Sequence, residues 1–72
     1  MISMTKTQKL GQIVRNTRKK QGLTQEQLAA ASGVGIRFIR ELEQGKESCH
    51  IGKSLQILAM LGLDIQIDGD NL

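Results

Sequence analysis

Gly22-Leu23-Thr24-Gln25-Glu26-Gln27-Leu28-Ala29, continued by Gly33-Val34 and by Phe38-Ile39-Arg40-Glu41-Leu42-Glu43-Gln44-Gly45-Lys46, reads as two short helices joined by a tight turn. Thr24 and Gln27 have the S/T-x-x-E/Q spacing of a capping box, in which a hydroxyl and an amide satisfy orphan backbone donors reciprocally. Leu23, just before the cap, is placed to staple onto Leu28. Gly22 suits the C′ position of a preceding helix, which Lys19 and Lys20 close with favourable positive charge. The second helix is expected from about Gln25 to Ala31, with Leu28 buried and Ala29, Ala30 and Ala31 allowing close helix approach. Ser32-Gly33 supplies the turn. In the third helix, Gly35 to Gln44, Ile39 and Leu42 share one face, with Val34 staple-like at its start. Ile36, Arg37, Arg40 and Glu41 lie opposite, and Gly45 ends the helix. A helix of this length with a polar, mostly basic face fits the DNA major groove, where base edges carry a distinct donor and acceptor pattern.

Upstream, Leu10, Ile13, Val14 and Thr17 recur at helical spacing and predict a first helix from about Thr7 to Gln21 with those residues inward. Met1 to Lys6 reads as a loose arm, with Met4 an alternative start. Downstream, Lys46 to His50 is a connecting loop. A fourth helix opens at Ile51 or Gly52 and runs to about Leu61, carrying Leu55, Ile57, Leu58, Met60 and Leu61 over more than one face. A helix apolar nearly all round is covered on several sides, which one small domain cannot arrange alone. Gly62 stops it. Leu63-Asp64-Ile65-Gln66-Ile67-Asp68 then alternates strictly, as a half-buried strand does. A lone strand leaves its ladder groups and apolar face without partners, and no other stretch reads as a strand. Pairing with the same strand of a second copy across a twofold axis answers both needs. Leu58, Leu61, Leu63, Ile65 and Ile67 are therefore the expected dimer interface. Gly69 to Leu72 is tail. The expected fold is all-α: four to five helices forming a helix-turn-helix domain over residues 7–62, with a dimerisation strand over 63–68.

Composition narrows the function. Seventy-two residues make one small domain, at a size where oligomerisation often supplies missing burial. There is no Pro, Trp or Tyr, and Phe38 is the only aromatic residue, which argues against single-strand and RNA platforms built on aromatic stacking. Up to Lys53 there are ten Lys or Arg against four acids, a net of +6, and from Ser54 onward three acids and no base, a net of −3. The basic part is the helical part, as an electrostatic footprint for nucleic acid requires. A single Cys49 cannot form an internal disulfide and suits a reducing cytoplasm. No apolar run has the length of a membrane span or signal peptide.

The run from Gly22 to Lys46 resembles the Cro and phage-repressor type of helix-turn-helix domain in spacing and residue type. With Leu55-Gln56-Ile57-Leu58-Ala59-Met60-Leu61-Gly62-Leu63 added, it looks like the HipB-type antitoxin branch of that family, over roughly Leu10 to Ile67. Gly35 departs from the Ser or Thr cap usual there, and Gly is a weaker cap. Ile36 replaces a polar first residue, so a base contact there is apolar, such as a thymine methyl. The resemblance implies a DNA-binding repressor, autoregulating its operon as a homodimer on an inverted repeat of double-stranded operator DNA. It also implies a partner, a HipA-like serine/threonine kinase toxin, single-chain or split. That toxin would use surfaces left free by DNA and dimer: the outer faces of helices one and four, Glu47 to His50, and the tail from Asp68. In the family the positions of Arg18 and Glu43 form an ion pair between helix one and the end of helix three.

Base readout is expected from Arg37 first, which can bind guanine O6 and N7 bidentately, then from Glu41, which can accept from cytosine N4. Arg40 reaches a base or a phosphate, and Ile36 completes the set. Gln25, at the first turn of helix two, and Lys46, just after Gly45, are expected on phosphate, with Arg15 and Lys9 behind them. Phe38 suits packing or a partner contact. Cys49 and His50 are adjacent, but two neighbouring ligands do not make a metal site. Thr5, Thr7, Ser32 and Ser48 have simpler work as caps and loop residues than as phosphorylation sites. One His, one Cys, no phosphate-binding glycine loop and no poised carboxylate pair argue against an enzyme, and no cofactor is expected. The other reading is a stand-alone regulator or protein-interaction module without a kinase partner.

Overall fold

Two reciprocal caps set the helical layout. The computed structural model describes residues 4–72. Helix α1 spans Lys6–Lys20, and its first turn is closed by Thr5, which accepts from Gln8 N while the Gln8 amide oxygen accepts from Thr5 N. Helix α1 therefore begins one residue before the expected start, because Thr5-x-x-Gln8 is itself a capping box. The first three residues of the expected arm lie outside the described residues. Helix α2 spans Gln25–Ser32 with the expected Thr24–Gln27 box. Helix α3 spans Ile36–Glu43, and Gly35 caps it without a side-chain bond. Helix α4 spans Ile51–Met60, and His50 Nδ1 accepts from Lys53 N to cap it.

Val14, Leu28, Ala29, Ile39, Leu42, Ile57, Leu58 and Leu61 form the core, drawn from all four helices. Leu23, as a staple residue should, packs against it from the side. Helix α1 turns the expected Val14 inward, with Leu10 and Thr17 half-buried beside it, but departs from the expected face at Ile13. Ile13 is 43% exposed, and its place inside is taken by Gly11 and Arg18. A Cβ on Gly11 would strike the Leu42 carbonyl oxygen and lie 2.7 Å from the Glu43 carbonyl oxygen. A close helix approach is therefore built into α1 at Gly11 as well as into α2 at Ala29. Ala30 and Ala31 are exposed, and only Ala29 is buried.

The C-terminal segment corrects the expected strand. Only Gln66–Ile67 is extended and paired (β1), and its partner is Asp70–Asn71 of the same chain (β2), antiparallel, with Gln66 opposite Asn71 and Ile67 opposite Asp70. Asp68 and Gly69 connect them with φ of 51° and 87°. Positive φ at both central residues is the type I′ hairpin turn, whose twist matches that of the strands it joins, and Asp-Gly is a preferred sequence for it. Leu72 N donates to Ile65 O at 2.9 Å and extends the pairing. So the expected strand has a partner within the protomer, and the tail from Gly69 is part of the hairpin. Leu58 and Leu61, expected at the dimer interface, are each only 4% exposed within the single chain and belong to its core. Leu63 and Ile65 are half-buried against that core, and Ile67 stays exposed. Within the single chain α4 leaves Ile51, Leu55 and Met60 facing solvent, in line with a helix that one small domain cannot cover all round.

Candidate nucleic-acid interface

Three backbone devices place the side chains that matter. The Thr24 cap leaves the first turn of α2 open at Gln25. Gly35 starts α3 immediately after the turn. At the far end of α3, Lys46 N donates to Glu41 O at 3.1 Å and Gly45 N to Leu42 O at 3.0 Å. This pair of bonds is a Schellman motif, and it needs the positive φ of 82° that Gly45 adopts. It turns Lys46 back alongside the last turn of α3.

Arg40, Glu41 and Gln44 lie three, four and seven residues beyond Arg37, so the four form one ridge along α3 and its C-cap. Arg37 stands out into solvent with its side chain 90% exposed. Its Nε donates to Glu41 Oε1 at 3.2 Å, while Lys46 Nζ donates to Glu41 Oε2 at 3.1 Å. Glu41 thus bridges two cations. The Lys46 hydrogen bond, against a smaller opposing effect of desolvation and with further help from the Lys46 and Arg37 charges, holds its carboxyl below the usual carboxylate range. Ile36 does not share this free face; it is half-buried and packs against the core.

Beside the ridge lies a cleft of about 560 Å³ whose polar lining includes Arg15, Thr24, Gln25, Arg40 and Gln44. Its floor is the Arg18–Glu43 ion pair, Nε to Oε2 at 2.7 Å and Nη2 to Oε1 at 3.1 Å. Gln25 Nε2 donates to Glu43 Oε1 at 3.2 Å, which orients the amide at the helix start. Among the described residues neither Arg15 nor Arg40 has a carboxylate partner, so both keep their charge for an incoming anion. The structure therefore gathers Arg15, Gln25 and Arg40 around one cleft, with Arg37, Glu41 and Lys46 along the adjoining ridge. Lys9 is exposed on α1 but does not line the cleft. Gln44 was missed in sequence. It sits seven residues, two helical turns, beyond Arg37, and that spacing alone would have found it.

Cys49 is half-buried, and desolvation, then the Glu41 charge, push its thiol up, away from the reactive thiolate. Among the described residues no three or more His, Cys, Asp or Glu side chains gather as a metal site would need. Among the same residues no helix is long and apolar enough to cross a membrane.

The family described as Helix-turn-helix matches residues 14–67, more than half of the chain. A protein of Sinorhizobium fredii (strain NBRC 101917 / NGR234), named an uncharacterized HTH-type transcriptional regulator y4mF, is 52% identical over 58 residues, covering 81% of this chain and 76% of that protein. Among solved structures, a chain of a HipA-HipB-O2-O3 complex superimposes with a TM-score of 0.79 at 21% identity, over 93% of this chain and 94% of its own. A chain of a HipB-O4 20mer complex gives the same TM-score, identity and coverage.

Proposed function

Because the chain belongs to the helix-turn-helix family of DNA-binding transcriptional regulators, we propose that it is a dimeric repressor that reads an inverted repeat and serves as the antitoxin of a HipA-like kinase. A regulator of this family is not an enzyme. Helix α3 enters the major groove and the start of α2 meets the phosphate backbone beside it. The observation that carries this is the union of an exposed Arg37 ridge with the cleft of Arg15, Gln25 and Arg40. Arg37 can place two donors on guanine, and Gln44 has the amide pair that suits adenine. Arg40 stands between ridge and cleft, within reach of either a base or a phosphate. Gln25, Arg15 and Lys46 hold phosphate and so set register rather than sequence, with Lys9 further out on the same backbone.

One α3 helix covers only part of a site, so two copies are needed to read an operator. An apolar groove of about 310 Å³ between α4 and the hairpin, lined by Leu55, Leu58, Ala59, Leu63, Ile65 and Leu72, is the seat for the second copy. The closed hairpin continues that surface with the exposed Ile67.

The antitoxin role is supported by likeness to HipB chains, one of them solved in a HipA-HipB-O2-O3 complex. The kinase would bind faces that leave α3 free, so toxin and DNA are held together in the cytoplasm, at the nucleoid. A second reading is a regulator with no kinase partner; the relative at 52% identity is named as a transcriptional regulator. Co-purification with the product of the adjacent gene separates the two. A kinase retained in a complex that still shifts duplex DNA supports the antitoxin. No retained partner leaves the regulator alone, and release of DNA by equimolar kinase contradicts a ternary complex.

A further inference from the structure

The ridge of α3 contains a carboxylate where phosphate attraction would favour none. Both Glu41 oxygens are engaged, one by Arg37 Nε and the other by Lys46 Nζ. The Glu41 side chain is 26% exposed, against 90% for Arg37 and 48% for Lys46, so it lies below the ends of the cations it joins. The Schellman turn at Gly45 fixes the Lys46 backbone one turn from Glu41, so this pairing is built into the helix end.

We propose that Glu41 is a specificity-determining residue, which restrains sequence-independent attraction to phosphate while leaving the base-reading donors of Arg37 free. This rests on the DNA-binding reading above. A lysine that neutralises a DNA phosphate releases a condensed counterion, and that release supplies non-specific affinity. Lys46 already faces a carboxylate, so a phosphate arriving there meets a competing anion and gains less. Arg37 is affected differently. Glu41 takes its Nε alone, and Nη1 and Nη2 remain as a two-donor fork of the kind that matches guanine O6 and N7. The same contact restricts a long and otherwise exposed side chain near the helix surface. Glu41 thus subtracts from the charge term that all sequences share and, by holding Arg37 in place, adds to the term that separates them. Arg15 and Arg40 retain the backbone attraction the site still needs.

The test uses two duplexes, the one that the wild-type chain selects from a random-sequence library and a scrambled version of equal length. Glu41→Gln keeps an acceptor for Arg37 and removes the charge. It is expected to raise affinity for the scrambled duplex by roughly two- to tenfold at low salt and to steepen its salt dependence by about one phosphate contact. On the selected duplex the same charge gain is offset by the loss of the ionic restraint on Arg37, so affinity there should change by less than about twofold and the ratio of the two falls. Asp68→Asn, which changes net charge equally at the hairpin turn and keeps a residue type suited to its φ of 51°, should move neither, and circular dichroism checks that both variants stay helical. Unchanged binding of the scrambled duplex overturns the proposal, as does an equal rise on both duplexes. A loss confined to the selected duplex also overturns it and makes Glu41 a direct reader of a base. A wild-type chain that binds neither duplex overturns this inference together with the DNA-binding reading; a wild type that binds while Glu41→Gln matches it overturns this inference alone.

Discussion

Arg18 and Glu43, twenty-five residues apart in sequence, form a two-point ion pair with side chains only 8% and 5% exposed. Arg18 Nη1 also donates to Leu23 O at 2.8 Å, and Gln25 Nε2 donates to Glu43 Oε1. One buried carboxylate therefore ties α1, the start of α2 and the last turn of α3 together. Coulomb attraction gains strength in such a setting, but desolvation of both ions offsets much of it, so the pair fixes geometry more than it adds stability. Removing one partner is a different matter, because it strands a buried charge. Glu43→Ala is expected to cost about 3–5 kcal/mol in urea unfolding, a large share of the stability of a small domain. The double change Arg18→Met with Glu43→Leu should recover most of that loss. A Glu43→Ala cost under about 1 kcal/mol would show that the pair is solvated.

At Gly11 two effects of opposite sign compete. Alanine in a helix interior is favoured over glycine by about 1 kcal/mol. Its Cβ would enter the carbonyl oxygens of Leu42 and Glu43, which are backbone and cannot swing aside. Overpacking of this kind costs about 1–3 kcal/mol, and here the obstacle is the end of the recognition helix. Gly11→Ala is therefore expected to destabilise, by thermal unfolding, and to weaken DNA binding through a displaced α3. A rise in Tm would mean that the two helices separate freely.

Self-association is predicted to run through the groove between α4 and the hairpin. Leu55→Glu changes a partly exposed residue at its edge, so the protomer should still fold. Sedimentation equilibrium should shift from dimer to monomer, with a loss of operator affinity as the half-sites are separated. A dimer of unchanged strength would place the interface elsewhere.

The Glu41 bridge has a pH signature. Lys46, then Arg37, hold the Glu41 carboxyl below its ordinary range in the folded state. A depressed folded pKa contributes stability above the unfolded pKa, and that contribution is lost as pH falls through the folded value. A carboxyl-carbon NMR titration should find Glu41 titrating below the ordinary glutamate range. Lys46→Gln should move it back upward. An ordinary value in both proteins would show the bridge to be transient in solution.

Helix positions and the helix-turn-helix core could be read from Thr24-x-x-Gln27, the Leu28, Ile39 and Leu42 spacing, and the glycine stops, because caps and periodicity are local. The misreadings have separate causes. Asp68-Gly69 is a local hairpin signal, masked in the sequence by the alternating run from Leu63, which has the pattern of one long strand. Gly11 carries no local signal at all, since its need for a missing Cβ arises from a helix thirty residues later. Ile13 has the right spacing for the core, yet Arg18 occupies the neighbouring inward position because Glu43 waits there. Leu58 and Leu61 look like an interface in a helix with apolar residues on several sides, until packing of α4 on α2 draws them into the core. In the candidate site, the residue types on α3 were readable, whereas the Arg37–Glu41–Lys46 bridge depends on how the Gly45 turn returns the chain.

Binding of Arg37→Ala tests the central claim most directly. The wild-type dimer should select an inverted repeat with half-site centres roughly 34 Å apart, one turn of the duplex. Arg37→Ala should lose about 1–3 kcal/mol on that repeat and relax preference at one base pair of each half-site, with little change on scrambled DNA. Gln25→Ala and Lys46→Ala should instead weaken both duplexes alike. An Arg37→Ala loss equal on selected and scrambled DNA would reassign Arg37 to the backbone, and the account of α3 as the reading helix would fail.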